Sequence, residues 1–174
     1  MGQIILYIAQ SLDGMIALSD GSVEWLDQFQ GEDYGYHQFL ESVDIVVMGN
    51  KTYRQVLSFG IEFPYKDKEV YVFTNEKNKQ NDEFSKYISD NHDGFIRDLR
   101  NWDKNTWLVG GADIIDFFLK NKAIDELWLF TMPVILGRGI HLFKENRFEN
   151  KLKLTYNKAY NSGVTESHYK FLFI

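Results

Sequence analysis

Along most of this chain, continuous apolar runs alternate with helix-spaced patterns. Ile4-Ile5-Leu6-Tyr7-Ile8-Ala9 is an unbroken apolar run, the form expected of a strand covered on both faces. Tyr36, Phe39, Leu40 and Val43 then follow the i, i+3, i+4, i+7 spacing of an amphipathic helix. Ile45-Val46-Val47-Met48 predicts a second buried strand, broken by Gly49-Asn50, and Tyr53, Val56 and Leu57 restart helical spacing. Val70-Tyr71-Val72-Phe73 predicts a third strand ending at Thr74-Asn75. The polar stretch from Glu76 to Asp93 predicts only a helix around Asp82 to Ser89.

Thr106-Trp107-Leu108-Val109 predicts a fourth strand, stopped by Gly110-Gly111. The segment Ala112 to Asn121 predicts a helix with Ile114, Ile115, Phe118 and Leu119 inward. Leu127-Trp128-Leu129-Phe130 predicts a fifth strand, and two more are expected near Leu152 to Tyr156 and His168 to Phe173. Strands alternating with helices imply right-handed crossovers and a mostly parallel sheet. The strand-only tail adds an antiparallel hairpin at one edge. The expected fold is therefore one α/β domain over residues 1–174, in three α/β/α layers with a mixed, mostly parallel sheet.

Composition narrows the function classes. The chain has 174 residues, 44% of them apolar, enough for one sizeable core. It has no cysteine, which excludes disulfides, thiolate chemistry and cysteine-bound zinc. Its four histidines are scattered without metal-ligand spacing, so no metal site is expected. The net charge of −6 argues against a nucleic-acid partner. No apolar run reaches the roughly 18 residues of a membrane span. The start, Met1-Gly2-Gln3-Ile4, lacks the basic and apolar regions of a leader, and a cytoplasmic location is expected.

Two segments share one design: a buried strand, a glycine break and a helix start. They are Met48-Gly49-Asn50-Lys51-Thr52-Tyr53 and Val109-Gly110-Gly111-Ala112-Asp113. Glycine lets a ligand approach the backbone, and a helix N-terminus presents unpaired N–H groups to phosphate. Open α/β sheets bind ligands at these strand ends. Neither segment matches a Walker loop or the G-x-G-x-x-G fingerprint. Two carboxylates are candidates for the substrate side. Asp13 lies in an Asp-Gly turn at the end of the first strand. Asp33 opens the first helix, four residues before His37.

Taken in order, these motifs resemble the dihydrofolate reductase superfamily, and within it the reductase domain of the bifunctional riboflavin-pathway deaminase-reductases. Ser11-Leu12-Asp13-Gly14 is similar to the opening motif of the riboflavin reductases. Met48-Gly49-Asn50-Lys51-Thr52-Tyr53 is similar to the M-G-R-x-T-[WY] turn, and Val109-Gly110-Gly111-Ala112 to the V-G-G-[GA] turn. Asp125-Glu126-Leu127 and Pro133-Val134-Ile135-Leu136-Gly137-Arg138-Gly139 resemble the riboflavin-reductase ending. Asn50 replaces the family's arginine, Val109 the usual glutamate and Met15 a basic residue; the Pro-Trp of folate enzymes is absent.

The resemblance implies hydride transfer from NADPH, with NADH as the alternative, to a small heterocyclic substrate. That substrate would be of the 5-amino-6-(5-phosphoribosylamino)uracil type or a pterin. It places cofactor contacts at Gly49, Asn50, Lys51, Thr52, Thr74, Gly110, Gly111, Ala112 and Asp113, and substrate chemistry at Asp13 or Asp33. A non-catalytic nucleotide-binding module on the same fold is the alternative. A homodimer through the apolar late segments, Pro133 to Leu136 and His168 to Phe173, is also expected.

Overall fold

A computed structural model describes residues 2–145 and 149–173. Among the described residues, ten strands and four α-helices follow the alternation of the sequence: β1 (Ile4–Ser11), β2 (Met15–Ala17), α1 (Tyr36–Glu41), β3 (Ile45–Gly49), α2 (Asn50–Ser58), β4 (Glu69–Phe73), β5 (Lys86–Ile88), α3 (His92–Asn101), β6 (Thr106–Gly110), α4 (Ala112–Lys120), β7 (Glu126–Met132), β8 (Ile140–His141), β9 (Lys151–Ala159) and β10 (Thr165–Leu172). Eight strands form one sheet in the order β5-β4-β3-β6-β1-β7-β10-β9. The first six of these are parallel. β10 runs antiparallel to β7, and β9 pairs antiparallel with β10 at the edge.

β1 is central because both of its faces are apolar. Ile4, Leu6 and Ile8 pack with α3 and α4 through Leu99, Ile115 and Phe118. Ile5 and Tyr7 pack on the other face with α1 and α2 through Phe39, Tyr53 and Val56. Burying one such side chain contributes about 1.5–3 kcal/mol, so a strand loaded on both faces is held in the middle of the sheet. Among the described residues, no helix is long and apolar enough to cross a membrane.

Three expectations need correction. Residues 82–89 are not helical. Asp82 accepts hydrogen bonds from the Phe84 and Ser85 N–H groups at 3.0 and 2.8 Å, and this local turn competes with helix formation. The chain then enters the short strand β5, and the helix lies at His92–Asn101 instead. Its inward residues Phe95, Ile96 and Leu99 are masked in the sequence by Gly94 and polar neighbours. Thirdly, α1 begins at Tyr36 after the left-handed Gly35 and ends at Glu41, so Asp33 sits in the preceding turn and Val43 beyond the helix. The small β2–β8 ladder carries no sequence signal, since its strands are three and two residues long.

Candidate active site

The two glycine-broken strand ends come together. β3 and β6 are neighbours in parallel register, with Met48 opposite Gly110. After β3 the chain passes to α2 on the Tyr7 face; after β6 it passes to α4 on the Ile8 face. Helices departing to opposite faces open a crevice at the carboxyl ends of the strands. Neither helix has a side-chain cap at its first residue, so leading N–H groups of both face that crevice without side-chain acceptors.

The glycines differ in what they require. Gly110 has φ +119°, a conformation that needs glycine, and is joined to Gly111 by a cis peptide bond. Gly49 and Gly111 have φ −78° and −74°, which any residue adopts. A Cβ on Gly49 would come no closer than 3.9 Å to the Gly110 carbonyl, and one on Gly111 no closer than 3.6 Å to the Thr52 hydroxyl. Neither the backbone nor the packing of the protein calls for glycine at these two positions.

The remaining residues expected at this site fall in three groups. Asn50 donates to Glu76 at 3.1 Å, while its own Oδ1 is buried with no hydrogen-bond partner among the described residues. Glu76 also takes Arg54 at 2.7 Å and Lys79 at 2.9 Å, and its N–H donates to the buried Thr74 hydroxyl at 3.1 Å. Lys51 is exposed, with no ion pair among the described residues. Ala112 is buried at the start of α4. Asp113 is 81% exposed and pairs with Lys144, a contact of the kind that contributes about 0–1 kcal/mol and opens readily.

The two candidate carboxylates have separate settings. Asp13 accepts from the Ser11 hydroxyl at 2.6 Å and from the Gly137 and Leu136 N–H groups at 2.7 and 3.1 Å. These donors, the Ser11 hydroxyl first, lower its pKa to about 2. Asp13 thus ties the loop after β1 to the loop after β7 as a fixed carboxylate. Asp33 pairs with His37 and accepts from the His37 N–H. It borders a cleft of about 560 Å³ that runs over β1, β7, β10 and β9.

That cleft is walled by aromatic rings. Tyr7 stacks on Phe39 at 4.3 Å, Phe39 meets Trp128 at 5.2 Å, and Trp128 lies flat on His168 at 4.0 Å and 8°. Tyr7 is opposite Trp128, which is opposite His168, so the row crosses three strands at one level. Leu6 pairs with Leu108, which puts this row level with the end of β6 that carries Gly110. Glu166 and Tyr160 complete the wall. The candidate residues Glu76, Glu166, Tyr160 and His168 were not singled out in the sequence. The alternation Glu166-x-His168 in a strand segment is the one signal that marks two of them, since side chains two apart share a face. Among the described residues no group of three or more acidic or histidine side chains is placed to hold a metal ion.

Comparison with known proteins agrees with this architecture. The profile of the RibD C-terminal domain matches residues 65–165. The chain is 44% identical over 167 residues to the Bacillus subtilis protein YwjB, covering 95% of each. A solved structure described as a putative riboflavin biosynthesis protein from Shewanella superposes with TM-score 0.87 at 30% identity, over 99% of this chain and 100% of that one. Dihydrofolate reductase from Enterococcus faecalis, solved with NADP(H), has TM-score 0.69 at 15% identity, over 98% and 96% of the chains, a likeness of fold.

Proposed function

The chain belongs to the RibD C-terminal domain family, and from that premise we propose that it is a reductase using NADPH, with NADH as the alternative, on a small flat heterocycle. The observation that carries the reading is the facing pair Gly49 and Gly111, glycines that the fold itself does not need. The orphaned Asn50 Oδ1 beside them is an acceptor suited to a ligand donor.

A reduced nicotinamide supplies the hydride when bound; the protein supplies position and field. The N–H groups at the starts of α2 and α4 hold phosphate, with Lys51 adding charge and Thr52, Thr74, Ala112 and Asp113 shaping the walls. The ring row of Tyr7, Phe39, Trp128 and His168 orients a flat acceptor and excludes water. Asp33, at the cleft mouth, binds substrate donors. Asp13 stays ionised and holds the loop rather than giving up a proton. Thermal shift with NADPH and NADH tests the cofactor: at 100 times its dissociation constant a ligand stabilises by about 2.7 kcal/mol. No shift at millimolar concentrations of either cofactor would refute the reading. Cofactor oxidation with pterins and aminopyrimidines tests turnover.

The reading includes a cytoplasmic homodimer. Every residue of edge strand β9 is exposed, among them Leu152, Leu154 and Tyr156, and an uncovered apolar edge favours a partner strand or face. Light scattering at micromolar protein should give twice 20.5 kDa, and the single-chain mass would refute it.

A further inference from the structure

Glu166 is a buried carboxylate in the wall of the cleft, 7% exposed. A buried charge requires partners, and it has two. The Tyr160 hydroxyl donates to Oε2 at 2.6 Å, and His168 Nε2 lies 2.6 Å from Oε1. The His168 ring is itself clamped by its stack on Trp128. These contacts hold Glu166 in one place. The charge is felt inside the cleft. Burial raises the pKa of the Tyr7 hydroxyl, and the charges of Glu166 and then Asp33 raise it further. The Tyr160 hydroxyl is raised in the same way, by burial and then by Glu166.

The turn before α1 contributes Glu32 and Asp33 to the same cleft, so three carboxylates line it. The lysine among the lining residues is Lys158, whose ammonium sits 4.1 Å from the centre of the Tyr160 ring, drawn to an aromatic face. A phosphate-bearing ligand would bring two negative charges into this field. A flat ring carrying amino groups would bring donors to it, between walls to which Tyr7, Trp128 and His168 contribute.

We propose that the cleft takes an amino-substituted heterocycle without a phosphate group, and that Glu166 is the residue that sets this preference. The proposal rests on the reductase reading only in taking the cleft as the substrate pocket. A fixed unit charge about 8 Å from a ligand charge, through the effective dielectric of a protein, changes affinity roughly tenfold or more.

The test is equilibrium titration of the full chain without cofactor, comparing 2,4-diamino-6,7-dimethylpteridine with a 5-phosphoribosylaminopyrimidine, in wild type and in Glu166→Gln. Wild type should bind the diaminopteridine at least about tenfold more tightly than the phosphorylated ligand, and Glu166→Gln should narrow that gap by a similar factor. A phosphorylated ligand that binds as well as the pteridine, binding of neither ligand, or a gap unchanged in folded Glu166→Gln would overturn the proposal. Should that variant fail to fold, Glu166→Met, of similar length and without charge, is measured the same way, and an unchanged gap there also overturns it. NADPH thermal shift on the same protein separates the two readings. A preserved gap with no cofactor response sinks the reductase and leaves the specificity; a cofactor response without the gap does the reverse.

Discussion

The crevice between β3 and β6 and the cleft over β1, β7, β10 and β9 are built by opposite means. The crevice is made of backbone: two uncapped helix starts and two glycines at which a Cβ would meet the protein only at ordinary van der Waals distance. Its chemistry depends on N–H groups that every residue type but proline carries, so side-chain changes around it matter little unless one adds a Cβ at a glycine. The cleft is made of side chains from both ends of the chain, each held by another ring or by a hydrogen bond. A backbone site suits the constant part of a ligand, and a side-chain site the part that differs between relatives. In such a fold one cofactor site can serve many substrates.

The sharpest way to break this comparison is Gly111→Val. Its backbone conformation accepts valine and the nearest protein atom leaves room for a Cβ, so the protein should still fold, as circular dichroism would show. Saturable binding of NADPH, followed by fluorescence quenching, should disappear because the added methyls fill the approach to the backbone. Unchanged affinity would place the ligand elsewhere.

Phe39→Ala attacks the other region. Phe39 is buried against Tyr7, Trp107 and Trp128, and its loss should cost about 3–5 kcal/mol in urea unfolding. At temperatures where the variant stays folded, its cofactor affinity should match wild type. If cofactor affinity falls as well, the two regions are one unit and the division fails.

Lys51→Ala sharpens the crevice. The loss of a charge-assisted hydrogen bond costs about 1.5–3 kcal/mol, and it should fall on NADPH and spare NADH. Equal losses for both would show that Lys51 does not read the additional phosphate.

The smallest effect concerns Asp13, which joins the loops bordering the two regions. Its pKa lies at about 2 in the folded chain against an ordinary 3.8. A depressed carboxylate stabilises the fold above its unfolded pKa, and that contribution is lost as pH falls from about 4 towards 2. Acid unfolding of wild type should therefore be steeper in that window than that of Asp13→Asn. If Asp13→Asn slows turnover while leaving the acid profile unchanged, Asp13 acts on substrate and is no clamp.

By itself the sequence determined the elements whose signals are local. The apolar run Ile4 to Ala9, the breaks Gly49-Asn50 and Gly110-Gly111, and the spacing of Ile114, Ile115, Phe118 and Leu119 each act within about ten residues, and their alternation implies a mostly parallel sheet; the order of its strands is a tertiary outcome. α3 was hidden because Gly94 and its polar neighbours blur the pattern of Phe95, Ile96 and Leu99, which only packing against β4 and α4 makes apolar on one side. The cleft was decided by tertiary structure alone. Tyr7, Phe39, Trp128 and Glu166 share no spacing; they meet because β10 pairs antiparallel with β7 in one register, Glu166 opposite Phe130 and His168 opposite Trp128. Shifted by one residue, that pairing would turn Glu166 and His168 to the opposite face of the sheet, and no local feature of the chain specifies the register.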